Sequence, residues 1–163
     1  MVAVIAHALA VIRRDVFGHE ADPGLAASIA LFHDSSEIFT GDMPTPIKYY
    51  DVEIMEAYKK VESVASRKLL TALPSEMRPA YKTILSPADD GCEMLELVHA
   101  ADRLAAYIKC IEELKTGNMD FRLAAEQSKE KLSKIGIQEV EYYIENFIPA
   151  FELTLDELDF SFE

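Results

Sequence analysis

Apolar residues open the chain almost without a break. The run VAVIAHALAVIRRDVFG, from Val2 to Gly18, predicts a buried helix, with Gly18 fitting its end. Met1 supplies no capping side chain and no polar lead-in precedes Val2, whereas a helix start usually offers Ser, Thr, Asp or Asn to the first unpaired N–H groups. The helix therefore reads as cut in its middle. Asp22-Pro23 then predicts a capped second helix with proline at its first position, running through LAASIALFHDSSEIF and stopping near Gly41.

The segment GDMPTPIKYYD holds Gly41, Pro44 and Pro46 close together and predicts a rigid loop. Apolar positions Ile54, Met55, Tyr58, Val61 and Val64 or Ala65 recur at helical spacing and predict a long helix from about Val52 to Ala72. Pro74-Ser75 reads as the start of a shorter helix through Ile84, and SPADDG as a second loop. The longest predicted helix covers about Glu93 to Lys115 and ends at Thr116-Gly117-Asn118. Helices over about Phe121 to Lys134 and Gln138 to Phe147 follow, before an acidic tail. No stretch sustains the two-residue alternation of a strand, and no repeat is present. The pattern implies an all-α fold and one domain over residues 1–163, a length too short for two separate cores.

Composition narrows the function. Half of the residues are hydrophobic and 28% are charged, which argues against disorder. A net charge of −13 rules against a surface that tracks the backbone of a nucleic-acid polymer, since that requires clustered Lys and Arg. It leaves small phosphorylated substrates open, because one bound divalent ion reverses the local field. The apolar run at the start is too short to span a bilayer, and Arg13 and Arg14 follow it where a signal peptide would have its charges in front. A cytoplasmic protein away from membranes is the expectation. Cys92 and Cys110 show no metal-site or disulfide spacing and read as two thiols.

Polar residues on apolar helix faces carry the chemistry, because an unpaired buried charge is expensive. Leu25, Ile29 and His33 succeed one another at four-residue spacing, and Glu37 continues the line with Asp34 beside it. On the longest predicted helix Leu95, Val98, Asp102 and Ala105 share a stripe, with a carboxylate where an aliphatic side chain is expected. Singly, each has a plain structural explanation: a hydrogen-bonded core histidine, a surface glutamate, or an Asp102 paired with Arg67 or Arg78. Together, one imidazole and two carboxylates with an adjacent glutamate match a divalent metal site with an acid–base group beside it.

The stretches LFHDSSEIFTGDMPTPIKYY and HAADRLAAYIKCIEELKTGN resemble the HD-domain phosphohydrolases, and more narrowly the bacterial 5′-deoxynucleotidases of the YfbR type. The similarity runs from Val2 to FIPAFELTLDEL. It implies an all-α HD-domain helical bundle, a homodimer, and metal-dependent conversion of deoxynucleoside 5′-monophosphates to deoxynucleoside and phosphate. Carried over by position, His33, Asp34 and Asp102 match metal ligands and Glu37 the catalytic glutamate. Asp42, Met43, Pro44 and Thr45 match the loop lining the nucleotide, where Asp42 and Thr45 would bond a sugar hydroxyl. Cobalt and manganese are the cofactors the resemblance implies. Met43, read on its own, is a packing residue, and Lys48 either a solvated loop lysine or a contact to phosphate.

The resemblance also implies a further N-terminal segment. That segment would bring a first metal-binding histidine, falling just before Met1, and an Arg-Trp pair; this sequence contains no Trp. Among the remaining histidines, His7 is on the wrong face, His19 has no evident partner, and His99, one turn before Asp102, is the better substitute. The sequence thus offers three of four ligands, which keeps two rivals open: a catalytically weakened HD-like scaffold that binds a nucleotide or a protein, and an HD phosphohydrolase of another nucleotide.

Overall fold

A computed structural model describes residues 1–48, 50–87, 92–154 and 156–157, with only the backbone at 45 and 46. The opening apolar run forms α1 (Val2–Val11), which buries Ile5, Ala6, Leu9 and Ala10. A π-helical turn, Ile12–Val16, continues it before Gly18 leaves with φ 71°. The wider turn sends Arg13 to Glu139, with Nε donating to Oε1 at 2.6 Å, and its Nη2 lies 3.4 Å from Glu96. Glu139 is almost wholly buried, so this pairing satisfies a carboxylate that could not otherwise stay inside.

Helix α2 (Pro23–Leu31) begins where Asp22 accepts the Leu25 N–H at 2.9 Å with Pro23 at the first position. It ends at Phe32, whose φ of −113° and ψ of 7° leave the helix. The expectation of one helix through Glu37 is thus corrected: a turn occupies 32–36, and a separate short helix, α3 (Glu37–Thr40), follows. Two side chains account for the break. Phe32 turns edge-on against Tyr81, centroids 5.9 Å apart, and His33 bonds back to the Ala30 carbonyl. Gly41, at φ 69°, closes α3. The supposed rigid loop also contains a turn of helix, α4 (Thr45–Lys48).

Asp51 caps α5 (Val52–Ala72) by accepting the Ile54 N–H at 2.7 Å. The next helix, α6 (Arg78–Leu85), starts later than Pro74, because Met77 N–H closes a turn on the Pro74 carbonyl before the helix begins. Within the predicted SPADDG loop, Ala88, Asp89, Asp90 and Gly91 lie outside the described residues. Then come α7 (Met94–Lys115), a 3-10 turn at Met119–Phe121, α8 (Arg122–Ser133) and α9 (Gln138–Asn146). A last short helix, α10 (Ile148–Glu152), occupies sequence read as tail, with Pro149 in its first turn. Among the described residues there is no strand, as the periodicity requires, and no helix is long and apolar enough to cross a membrane. Cys92 and Cys110 are free thiols.

Helix α7 is the axis of the core. It buries Leu97, Val98, Ala101, Leu104 and Ile108 against α1 and α2 on one side and against α8 and α10 on the other. The pair α5 and α6 stands outside this core, with Tyr58, Ala65 and Leu85 as its buried side chains; α6 leans on α2, while α3 and α4 lean on α5. A cleft is left between the core helices α2 and α7 and the outer helix α5. Leu104, fully buried at the centre of α7, makes the test of this packing: Leu104→Ala should lower the free energy of unfolding by about 3 kcal/mol in a urea titration.

Candidate active site and metal centre

His33 is placed by the end of α2. Its Nδ1 donates to the Ala30 carbonyl at 2.7 Å, which fixes the ring and leaves Nε2 to face the cleft. There Nε2 lies 3.0 Å from Asp34 Oδ2 and 3.8 Å from Asp102 Oδ1. Asp102 therefore pairs with histidine, not with an arginine: Arg78 spends its guanidinium on the carbonyls of Leu73 and Thr71. At 3.8 Å the His33–Asp102 contact is an ion pair rather than a hydrogen bond.

Asp102 is the largest influence raising the His33 imidazole above its ordinary value, against partial burial and with help from the Ala30 carbonyl and Asp34. The same pairing, led by His33, holds the Asp102 carboxyl below the usual range. Glu37 goes the other way. Loss of water raises it, and Asp34 and Asp42 add repulsion that Lys48 partly offsets. His99 is pushed down by loss of water and then by Arg103.

His33, Asp34, Glu37 and Asp102 line one cavity of about 560 Å³. His99 lines it too. Asp42, Met43 and Pro44 do not border it in this structure; Asp42 acts on it through its charge on Glu37. The side chain of Thr45 lies outside the described residues. His7 is exposed on α1, and His19 borders a separate depression beside Arg13 and Glu139.

Sequence reasoning missed several lining residues. Lys48 is not a solvated lysine: it donates to Glu62 at 2.8 Å, and its ammonium sits 4.8 Å from the centroid of the Tyr58 ring. Lys59, Glu62 and Arg103 complete the charged wall. Arg103 had a readable signal in its place next to Asp102; Lys59, one of two adjacent lysines, had none. A larger cavity of about 740 Å³ adjoins the first across His99 and Arg103. It contains no imidazole paired with a carboxylate, so the chemistry belongs to the smaller one.

One imidazole nitrogen with its lone pair set outward, and two carboxylates, form a donor set suited to a first-row divalent ion. Among the described residues no three such side chains stand close enough to grip an ion in their present rotamers. Asp34 already lies 3.0 Å from Nε2, and the Asp102 side chain, 59% exposed, is not locked at its 3.8 Å by packing.

Residues 1–151 match the family model described as 5′-deoxynucleotidase YfbR-like. The chain belongs to the YfbR-like family. A 5′-deoxynucleotidase of Vibrio parahaemolyticus is 44% identical over 157 residues, which cover 96% of this chain and 81% of the relative. One from Erwinia tasmaniensis is 42% identical, covering 96% and 79%. The crystal structure of an HD-domain phosphohydrolase from Listeria innocua superposes with a TM-score of 0.72 at 23% identity, over 92% of this chain and 72% of that one. That likeness bears out the all-α HD-domain architecture, and the family membership bears out the nucleotidase resemblance and makes the chain a hydrolase.

The ion pair sets a pH dependence in the metal-free chain. A histidine raised in the folded state contributes its stability in full below its ordinary value near 6.5 and loses it as pH rises through the folded value. A depressed aspartate contributes above its ordinary value of 3.8 and loses it as pH falls through the folded value. The pair is therefore most stabilising in the acidic window between the two. Asp102→Asn should bring the His33 titration, followed by NMR, down towards 6.5 and flatten the loss of stability above neutral pH.

Proposed function

We propose that this chain hydrolyses deoxynucleoside 5′-monophosphates to deoxynucleoside and phosphate, using a divalent ion, cobalt or manganese, held by His33, Asp34 and Asp102. The observation that carries the reading is the outward Nε2 of His33, facing two carboxylates in the cavity that also contains Glu37, in a member of a 5′-deoxynucleotidase family. The whole chain is read as one HD domain acting in the cytoplasm on a small molecule, without a nucleic-acid polymer or a membrane as partner.

A bound divalent ion supplies charge neutralisation at the phosphoryl oxygens and a more acidic water. The protein's own groups do the rest. The Ala30 carbonyl keeps the His33 proton on Nδ1, so that Nε2 is available as a donor. Glu37, whose proton affinity is raised, moves a proton from the attacking water to the departing 5′-oxygen as the P–O5′ bond breaks. Arg103, Lys59 and Lys48 bring positive charge to the cavity wall and offset the phosphate dianion. Asp42 and Thr45 bond the sugar hydroxyl and Met43 and Pro44 pack beside it, on the strength of their match to the family's nucleotide loop.

Association as a homodimer is part of the proposal. Ile38 and Phe39 on α3, Ile47 on α4, Tyr50 just before α5 and Val52 at its start are exposed, and α3 and α4 both pack on α5. Apolar surface of this kind marks association sites.

The test is phosphate release from dAMP and from AMP by the 163-residue chain with added cobalt or manganese, and with EDTA as control. Metal-dependent release from dAMP is expected; a chain that releases nothing and retains no stoichiometric metal would be a scaffold instead. Glu37→Gln should lower kcat by about 100-fold or more with metal content unchanged. Near-normal turnover in that variant would remove Glu37 from the mechanism.

A further inference from the structure

Helix α5 stands outside the main core, yet it buries a tyrosine that points at a main-chain oxygen of the neighbouring loop. Tyr58 is 6% exposed, and its hydroxyl donates to the Gly41 carbonyl at 3.1 Å. Thr40 Oγ1 lies 3.5 Å from that hydroxyl and itself donates to the same carbonyl at 2.9 Å. One turn further along α5, Glu62 accepts from Lys48 at 2.8 Å, and the Lys48 ammonium sits over the face of Tyr58. Both ends of the segment 41–48 are therefore tied to two residues four apart on one helix face.

We propose that Tyr58 and Glu62 are positioning residues that hold the segment 41–48 in the shape that receives the sugar of the substrate. The inference rests on the nucleotidase reading given above and assigns a task to two residues of α5, of which Tyr58 lies off the cavity and Glu62 on its wall. Packing alone does not explain Tyr58, since phenylalanine fills the same space without the hydroxyl. Its anchor, Gly41, closes α3 through its own N–H to the Glu37 carbonyl at 2.9 Å. Between the two anchors, Asp42, Met43 and Pro44 are exposed or half-exposed and have little packing to order them. Ordering a loop before the ligand arrives removes a cost from binding, and that gain appears in KM more than in kcat.

Tyr58→Phe deletes one hydrogen bond and leaves the ring under Lys48. The net worth of one such bond corresponds to about a fivefold change in an equilibrium. The expected result is a KM for dAMP raised about fivefold, kcat within about twofold, and faster hydrogen exchange at the amides of Asp42 and Met43. Glu62→Ala should raise KM similarly, and Glu62→Gln, which keeps an acceptor for Lys48, should restore part of the loss. Thermal melts of each variant identify any general loss of folding, which would lower active-enzyme content without moving KM. An unchanged KM, or unchanged exchange at 42 and 43, overturns the proposal. If the wild-type chain releases no phosphate from dAMP, the nucleotidase reading fails by itself. The exchange comparison between wild type and Tyr58→Phe then still decides whether the pin exists.

Discussion

The site depends on how closely α2 approaches α7. Small residues make that approach possible: Ala26 and Ala30 on one helix and Ala100 and Ala101 on the other are buried in the same core, with Ala6 and Ala10 of α1 beside them. Interhelical distance is set by the side chains at the contact, and alanines allow the short end of the range. A larger side chain at position 30 would push the end of α2 outward and carry His33 away from Asp102. The ionic contact across the cleft is thus a product of the apolar packing beneath it. Charge attraction between these groups, partly exposed as they are, is too weak to bring two helices together unaided.

Charge in the cleft is arranged as opposed pairs. His33 lies between two carboxylates and binds its proton more tightly, while the Glu37 carboxyl is raised for a different reason, loss of water first and then repulsion from Asp34, Asp42 and Glu62. Neighbouring groups pushed in distinct ways are the usual mark of a reactive site. A strongly acidic protein nevertheless concentrates Lys48, Lys59 and Arg103 on this one wall. The net charge of the chain says little about the field an anionic substrate meets after entering the cleft.

Much of this was legible beforehand. Helix α5 is where the pattern puts it, because apolar positions from Ile54 onward keep its period. Asp102 stood out because an aliphatic stripe made a carboxylate conspicuous. His33, Asp34, Glu37 and Asp102 do share a cavity, as their placement suggested. Other features were hidden by tertiary contacts. Nothing in LFHDSSEIF interrupts the helical pattern; the break comes from Tyr81, distant in sequence, and from the side chain of His33 bonding its own backbone. Lys48 looked like any loop lysine because its partners, Tyr58 and Glu62, belong to the next helix. The relation of Asp42 to the cavity was legible only through the family likeness, since an exposed aspartate after a glycine carries no signal of its own.

The orienting partner of His33 is a main-chain carbonyl. No substitution at position 30 can delete that oxygen, and any residue that lets α2 end at the same place provides it again. The tautomer that points a nitrogen into the cleft is therefore inherited from the course of the helix and not from a neighbouring side chain. In evolutionary terms the donor is robust: mutations abolish its orientation only by moving the helix end or by replacing the histidine itself.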